Sequence, residues 1–304
     1  MKKIFFVFPE TPRNFDNIIK QSSESINMLK KFEHIIFDMR KVTFITPSAL
    51  CPLTAYIYFI KNNFPDKKVD IFPPKKFDLQ NYLSRMDFFE HLDIDFKKVN
   101  KVCQNQSLME LKHITKENAH VAKFETCFMN ILENRLNCDY SFISTIGHIV
   151  GELINNVLDH SESEYGGFMC AQIYPKKNIL EICFSDCGIG IPTSLRNSSA
   201  LQNFTSDEDC EQIDYSLNFG VTSADDIIKK NTGQGLYFLT KIVKENKGRM
   251  KIFSNNGMIL IDKNTHRFES LDKSWIGTTV MIELNLNNPV STSVLDLPEG
   301  VDYI

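Results

Sequence analysis

Short apolar runs alternate along the first hundred residues with longer segments whose apolar positions recur at helical spacing. "KIFFVFP", "HIIFDMR" and "KVDIFPP" read as strands, whereas "NFDNIIKQSSESINMLKKF", "SALCPLTAYIYFIKNNF" and "FDLQNYLSRMDFFEHLDI" read as helices. This alternation predicts a small α/β layer structure. A polar stretch, "KKVNKVCQNQS" at 97–107, marks the expected boundary. Beyond it, helical periodicity covers about 119–136 and 140–160, followed by the strand patterns "FMCAQIYP" and "NILEICFSD". Residues 191–232 are polar and without a clear period, and a loop that long inside a compact domain is usually functional, so they read as a lid. A short helix "GQGLYFLTKIVKENKG" closed by Gly248, a hairpin "RMKIFSNNGMILID" turning at Asn256-Gly257, and a last strand "GTTVMIELN" complete the pattern.

Composition narrows the class. The 304 residues suffice for two domains, and 42% hydrophobic with 24% charged residues describes a globular chain that buries real cores. No apolar run approaches the roughly 20 residues that span a bilayer, which excludes a membrane span. "MKKIFFVFPETPRNF" carries no small-residue cleavage site, and the expected location is cytoplasmic. The eight cysteines include no CxxC pair, and several lie in apolar runs such as "ILEICFSDCG", where a reduced thiol fills space; neither zinc nor a disulfide framework is indicated. The net charge of -4 is interleaved, and Lys pairs at 75–76, 97–98, 176–177 and 229–230 make no continuous basic face, so nucleic acid is not an expected ligand.

The most informative segment is "GELINNVLDHS" at 151–161. At 3.6 residues per turn, Glu152, Asn155, Asn156, Asp159 and His160 share one face, while Ile146, Ile149, Val150, Leu153 and Val157 form an apolar stripe. Solvated helix faces favour Lys and Glu, whereas Asn and Asp compete with the backbone for hydrogen bonds. That polar face therefore reads either as a solvated surface or as the floor of a ligand site. Two glycine pairs bracket the lid. "SDCGIGIP" sets Asp186 at the end of a buried strand before Gly188 and Gly190, and "NTGQGL" sets Gly233 and Gly235 before a helix whose N-terminal N–H groups suit phosphate. Neither the Walker pattern nor the Rossmann glycine pattern is present.

In this order, "ELINNVLDH", "SDCGIG", "GQGL" and "IGTTVMIEL" resemble the four motifs of the GHKL superfamily of ATP-binding domains across about residues 120–286. The resemblance implies that Glu152 polarises water as a general base, that Asn156 ligates Mg2+, and that Asp186 accepts from the adenine amino group. It further implies that Gly188 and Gly190 shape the base pocket, that Gly233, Gly235 and Leu236 receive the phosphates, and that Thr278 touches the adenine region. The chemistry agrees: Mg2+ takes few protein oxygens plus phosphates, and a carboxylate four residues before Asn156 shares its face. Thr222 and Ser223, on the approach to the second glycine pair, are candidate phosphate contacts. Asn155 and Asp159 read as water-ordering or capping residues, and His160 as a helix-end residue.

The first 98 residues resemble a STAS domain through "HIIFDMRKVTFITPSALCPLTAYI" and "LQNYLSRMDFFEHL". Ser48, in Thr46-Pro47-Ser48-Ala49-Leu50, takes the place of that family's phosphorylated serine; it also suits an N-cap. The expected organisation is a STAS-like α/β domain at 1–98, a linker at 99–118, a GHKL α/β sandwich with helices on one face of a mixed sheet at 119–286, and a tail at 287–304. The expected function is an Mg-dependent, slowly hydrolysing ATP switch with a regulatory protein partner, in which a homodimer is one arrangement. A serine kinase of anti-sigma type and a non-hydrolysing ATP-binding scaffold are the alternatives. A histidine kinase is disfavoured, because neither "LKHITKEN" nor "NAHVAKF" resembles a phosphoacceptor helix.

Overall fold

The computed structural model describes residues 2–11, 26–96, 107–117, 129–130, 132–133, 140–202, 204–223 and 234–296. Two sheets organise them: β1 (Lys3–Val7), β2 (His34–Asp38) and β3 (Lys68–Phe72) form a parallel sheet in that order. β4 (Leu108–Ile114), β5 (Gly167–Tyr174), β6 (Ile179–Asp186), β7 (Arg249–Asp262) and β8 (His266–Asn285) form a second, in the order β4-β5-β6-β8-β7. Among the helices of the amino-terminal part are α1 (Ile26–Leu29), α2 (Pro47–Asn63), α3 (Phe77–Arg85) and α4 (Phe88–His91). Beyond them lie α5 (Tyr140–Asp159), α6 (Ile191–Arg196), α7 (Asp209–Tyr215) and α8 (Gly235–Glu245), among others.

The molecule is mixed α/β, as expected, but the second sheet is antiparallel in every pairing rather than mixed. Strand direction is set by connections, and only Pro175–Asn178 separate β5 from β6, too few residues for a parallel crossover. Alternation along the strands builds two faces. Ile182, Phe184, Val280 and Ile282 pack with Ile146, Val150, Leu239 and Ile242 of α5 and α8. Cys170, Cys183, Phe253 and Met281 face the opposite way.

Helices were expected on one face of this sheet, yet that second face is also covered, by α2. This helix is apolar all round and buries Leu50, Cys51, Leu53, Tyr56 and Ile57 among others, as a helix between two layers must. Tyr56 meets Phe6 and Phe37 of the parallel sheet edge-on, each at 6.2 Å, and Trp275 of the second sheet at 5.7 Å. The Cys51 thiol donates to the carbonyl of Phe168 across the same seam. One apolar cluster thus runs from the amino-terminal sheet through α2 into the back of the second sheet.

Three further expectations change. Residues 99–118, expected as a linker, contain β4, which pairs with β5. The hairpin turn lies after Asp262, whose carboxylate accepts from the N–H groups of Asn264 and Thr265; the expected Asn256-Gly257 turn is instead an irregularity within β7, where the register slips at Asn255. Gly257 is needed there because a Cβ would come within 2.7 Å of the backbone nitrogen of Cys210 on α7. The 191–232 stretch is not all loop: it contains α6, a 3-10 turn at Ser199–Leu201, and α7 packed on β7; 203 and 224–232 lie outside the described residues. In the expected tail, Val290 and Val294 are buried in the core beside α5. Among the described residues no helix is long and apolar enough to cross a membrane, and five cysteines (51, 170, 183, 187, 210) are free and buried.

Candidate functional site

The apolar stripe of α5 is buried against the sheet, so the opposite side of the helix is presented to a cleft at the end of β6. Glu152, Asn156 and His160, spaced by four, line it; Asn155 and Asp159 are not part of the lining. The cleft encloses about 900 Å³ when the space of its open mouth is included. Asp186, Gly190, Gly235, Leu236 and Thr278 line it as well. Six candidate ATP-site residues from distant parts of the sequence, together with Glu152 and Asn156, thus share or border one space, if Gly188 beside Asp186 is included. Gly233 lies outside the described residues.

Asp186 is the most constrained of them. It is 5% exposed, and its Oδ1 accepts from the backbone N–H of Gly188 at 2.8 Å and of Thr278 at 3.3 Å. Burial pushes its carboxyl up to about 7, against the opposing pull of those two donors. Its Oδ2 receives no hydrogen bond from the described residues. The position two residues after it tolerates no side chain: a Cβ on Gly188 would lie 1.9 Å from the Ser161 carbonyl oxygen. Gly277, at φ +76°, holds a left-handed conformation, and a Cβ there would lie 2.4 Å from the Asp186 carbonyl oxygen. The sequence "IGTT" contained Gly277, but its role is visible only from this contact.

Gly190, at φ +83°, sits against Asn255, whose amide donates to the Ile189 carbonyl at 3.1 Å. Ser254 ties the same corner together, accepting from the Ile191 N–H at 2.9 Å and bonding to the Thr278 hydroxyl at 3.0 Å. Ser254 and Asn255 were not singled out in the sequence, because their partners lie more than twenty residues away.

Across the cleft, the N-terminal turn of α8 meets α5. A Cβ on Gly235 would come within 2.5 Å of Glu152 Oε2, so this glycine lets the helix start abut the carboxylate. Burial raises the Glu152 carboxyl above its ordinary value, partly offset by His148. A raised carboxylate pKa suits a group that must take a proton.

Thr222 and Ser223 line the cleft too. Ser194 donates to the Ser223 hydroxyl at 2.7 Å, and Ser223 is 2.9 Å from His160 Nδ1. His160, read from the sequence as a helix-end residue, does follow α5 directly, but it is also part of this wall. Its serine partner is 63 residues away, and no local pattern announces such a pair.

Ser48 is not brought to the cleft. Its backbone N–H donates at 2.8 Å to Glu181 Oε1, which its hydroxyl also contacts, and Glu181 lies on β6 among the groups facing α2. Thr46 is the N-cap of α2 without a side-chain bond, so Glu181 caps the helix from another element. No protein-family model matches this chain, and no curated protein matches it in sequence.

Proposed function

We propose that the chain is a GHKL-type switch that binds ATP with Mg2+ in the cleft between α5, the end of β6 and the start of α8, and hydrolyses it slowly. The observation that carries this reading is Asp186: a buried carboxylate with one oxygen fixed by two backbone donors and the other left to accept from a ligand in the same cleft. An adenine amino group is a donor of the right kind, whereas guanine presents a carbonyl there and would leave the acid unpaired. The fit extends to the other end. Leu236 and Gly235 place the start of an eleven-residue helix at the cleft, where N–H groups and the helix dipole suit phosphates. Among the described residues no group of three or more His, Cys, Asp or Glu could hold a metal ion. Mg2+ bound with a nucleotide needs none, since one protein oxygen such as that of Asn156 can suffice beside phosphates.

In this arrangement Asp186 would orient the base, Asn156 would hold Mg2+, and Glu152, with its raised pKa, would take a proton from water. ATP as substrate would supply the phosphoanhydride, and Mg2+, when bound, would offset charge on its phosphates. The amino-terminal layer, which we read as STAS-like, is the element through which a regulatory protein partner would sense the site, because α2 lies on the back of β5 and β6. Calorimetry with Mg-ATP and Mg-GTP tests the reading: saturable ATP binding that GTP does not match is expected, and no ATP binding, or equal binding of both, overturns it. A serine kinase is the second reading, favoured by the serine and histidine paired in the cleft wall.

A further inference from the structure

The hydroxyl groups of the cleft wall are not equivalent. Ser161 and Ser216 donate to the carbonyls of Val157 and Ile213, each within three or four residues, which are ordinary local caps. Thr278 is tied to Ser254. Ser223 differs. It accepts from Ser194 at 2.7 Å and lies 2.9 Å from His160 Nδ1, to which it donates in the tautomer that carries its proton on Nε2. A hydroxyl hydrogen-bonded to an imidazole is the arrangement that activates a serine oxygen, with the second serine fixing its orientation. The imidazole stands one helical turn beyond Asn156, on the face that holds the proposed cation ligand.

We propose that Ser223 is a phosphoryl acceptor within the cleft and that His160 is the base that takes its proton, an inference that rests on reading the cleft as an ATP site. Ser223 Oγ forms a bond to the γ-phosphorus. The bond from that phosphorus to the bridging oxygen breaks, its electron pair leaving on ADP, and the serine proton passes to His160 Nδ1. Ser48, the acceptor the sequence suggests, is held against Glu181 on the opposite face of the sheet and does not reach the cleft. The modification would place about two negative charges at 223, beside the Ser194 hydroxyl and the His160 imidazole that now hold it, so it would change how that segment packs.

The test uses the full chain and three readouts. Wild-type protein incubated with Mg-ATP, digested and sequenced by mass spectrometry is expected to carry one phosphate, on Ser223. Ser223→Ala is expected to carry none, and Ser223→Thr to regain it as phosphothreonine. His160→Gln is expected to slow the initial rate by about 10²–10⁴ and to remove the acidic limb of the pH–rate profile, which a packing role alone would not do. Without nucleotide, the ¹⁵N shift of His160 Nδ1 is expected to move in Ser223→Ala. Calorimetry on the wild type separates the two layers of argument. Saturable ATP binding without an adduct, or a phosphate mapped to Ser48 or any other residue, overturns the proposal and leaves the ATP site standing. Absence of ATP binding overturns both.

Discussion

Two buried acids stand on one strand of this molecule and show how the same chemistry becomes structure in one place and, in the other, the half-partnered group of a candidate site. Glu181 and Asp186, five residues apart on β6, are each 5% exposed, and burial raises the pKa of both. Glu181 points to the α2 side, where the N–H and hydroxyl of Ser48 satisfy it. Asp186 ends the strand on the cleft side with one oxygen held by Gly188 and Thr278 and the other without a donor among the described residues. A buried acid with its partners supplied from another element ties two layers together. One left half-partnered, beside open space, keeps a high free energy that a ligand can lower. Under the proposed function, the comparison predicts which substitutions disturb nucleotide chemistry and which disturb only the fold.

The largest effect is expected from Glu152, on the cleft side. Glu152→Ala should lower ATP turnover by about 10²–10⁴ while nucleotide still binds, as loss of a proton acceptor does. Phosphate release measured on protein freed of contaminating ATPases checks it, and equal turnover in variant and wild type removes Glu152 from the chemistry. Asp186→Asn comes next. Exchanging the charged acceptor for an amide should weaken ATP binding by about 10–100-fold, the value of a charge-assisted bond. Glu181→Gln, on the same strand, should leave the affinity within about twofold. If calorimetry finds the two variants alike, the division of β6 into a site end and a structural end is wrong.

The structural side has its own prediction. Glu181→Ala removes the cap of α2 and leaves the Ser48 N–H and hydroxyl to a buried seam, so unfolding free energy should fall by roughly 1–3 kcal/mol. Urea denaturation followed by the fluorescence of Trp275, the single tryptophan of the chain and a contact of Tyr56 on α2, reports on that seam directly. An unchanged midpoint would mean that α2 is held by apolar packing alone.

What could be read from the sequence follows the range of the interactions involved. The polar side of α5 was legible because Glu152, Asn156 and His160 repeat every four residues and the stripe beneath them is uninterrupted. Asp186 and its glycines were legible because a strand end followed by close backbone approach demands those residue types. Other features were hidden by distance or competition. The apolar circumference of α2 showed that it would be buried, but nothing local said that its second side would meet β5 and β6. β4 was concealed because Lys112 and His113 interrupt its alternation at an edge where only part of the strand is buried. Asn256-Gly257 has the composition of a hairpin turn, yet α7 crosses that point of β7 and the chain turns later, where Asp262 can cap it. The Ser223–His160 pair joins residues on either side of two strands and two helices, beyond any local pattern.

The smallest effect sharpens the comparison most, because it asks the two acids to differ in degree rather than in kind. Asp186 has a carboxyl raised to about 7 from an ordinary value of 3.8. Below the ordinary value both folded and unfolded chains hold the proton, and the group contributes nothing to the pH dependence. Between 3.8 and about 7 the unfolded chain has lost its proton while the folded chain retains it, so the folded state binds more protons and stability falls as pH rises. Above about 7 both are ionised and the loss levels off. The slope in that window is about 1 kcal/mol per pH unit for one such group. Glu181 has the same sign, but the bonds from Ser48 oppose its burial. Urea midpoints of the nucleotide-free protein at pH 5, 6, 7 and 8 should therefore show a decline that flattens near 7, largely removed in Asp186→Asn and mostly retained in Glu181→Gln. Saturating Mg-ATP should steepen the contrast from the other side, since a ligand that donates to the ionised acid binds more weakly as pH falls below about 7. A decline that disappears with Glu181→Gln instead would place the strained acid on the α2 side of the strand and leave the cleft without the charged acceptor that the proposed adenine recognition needs.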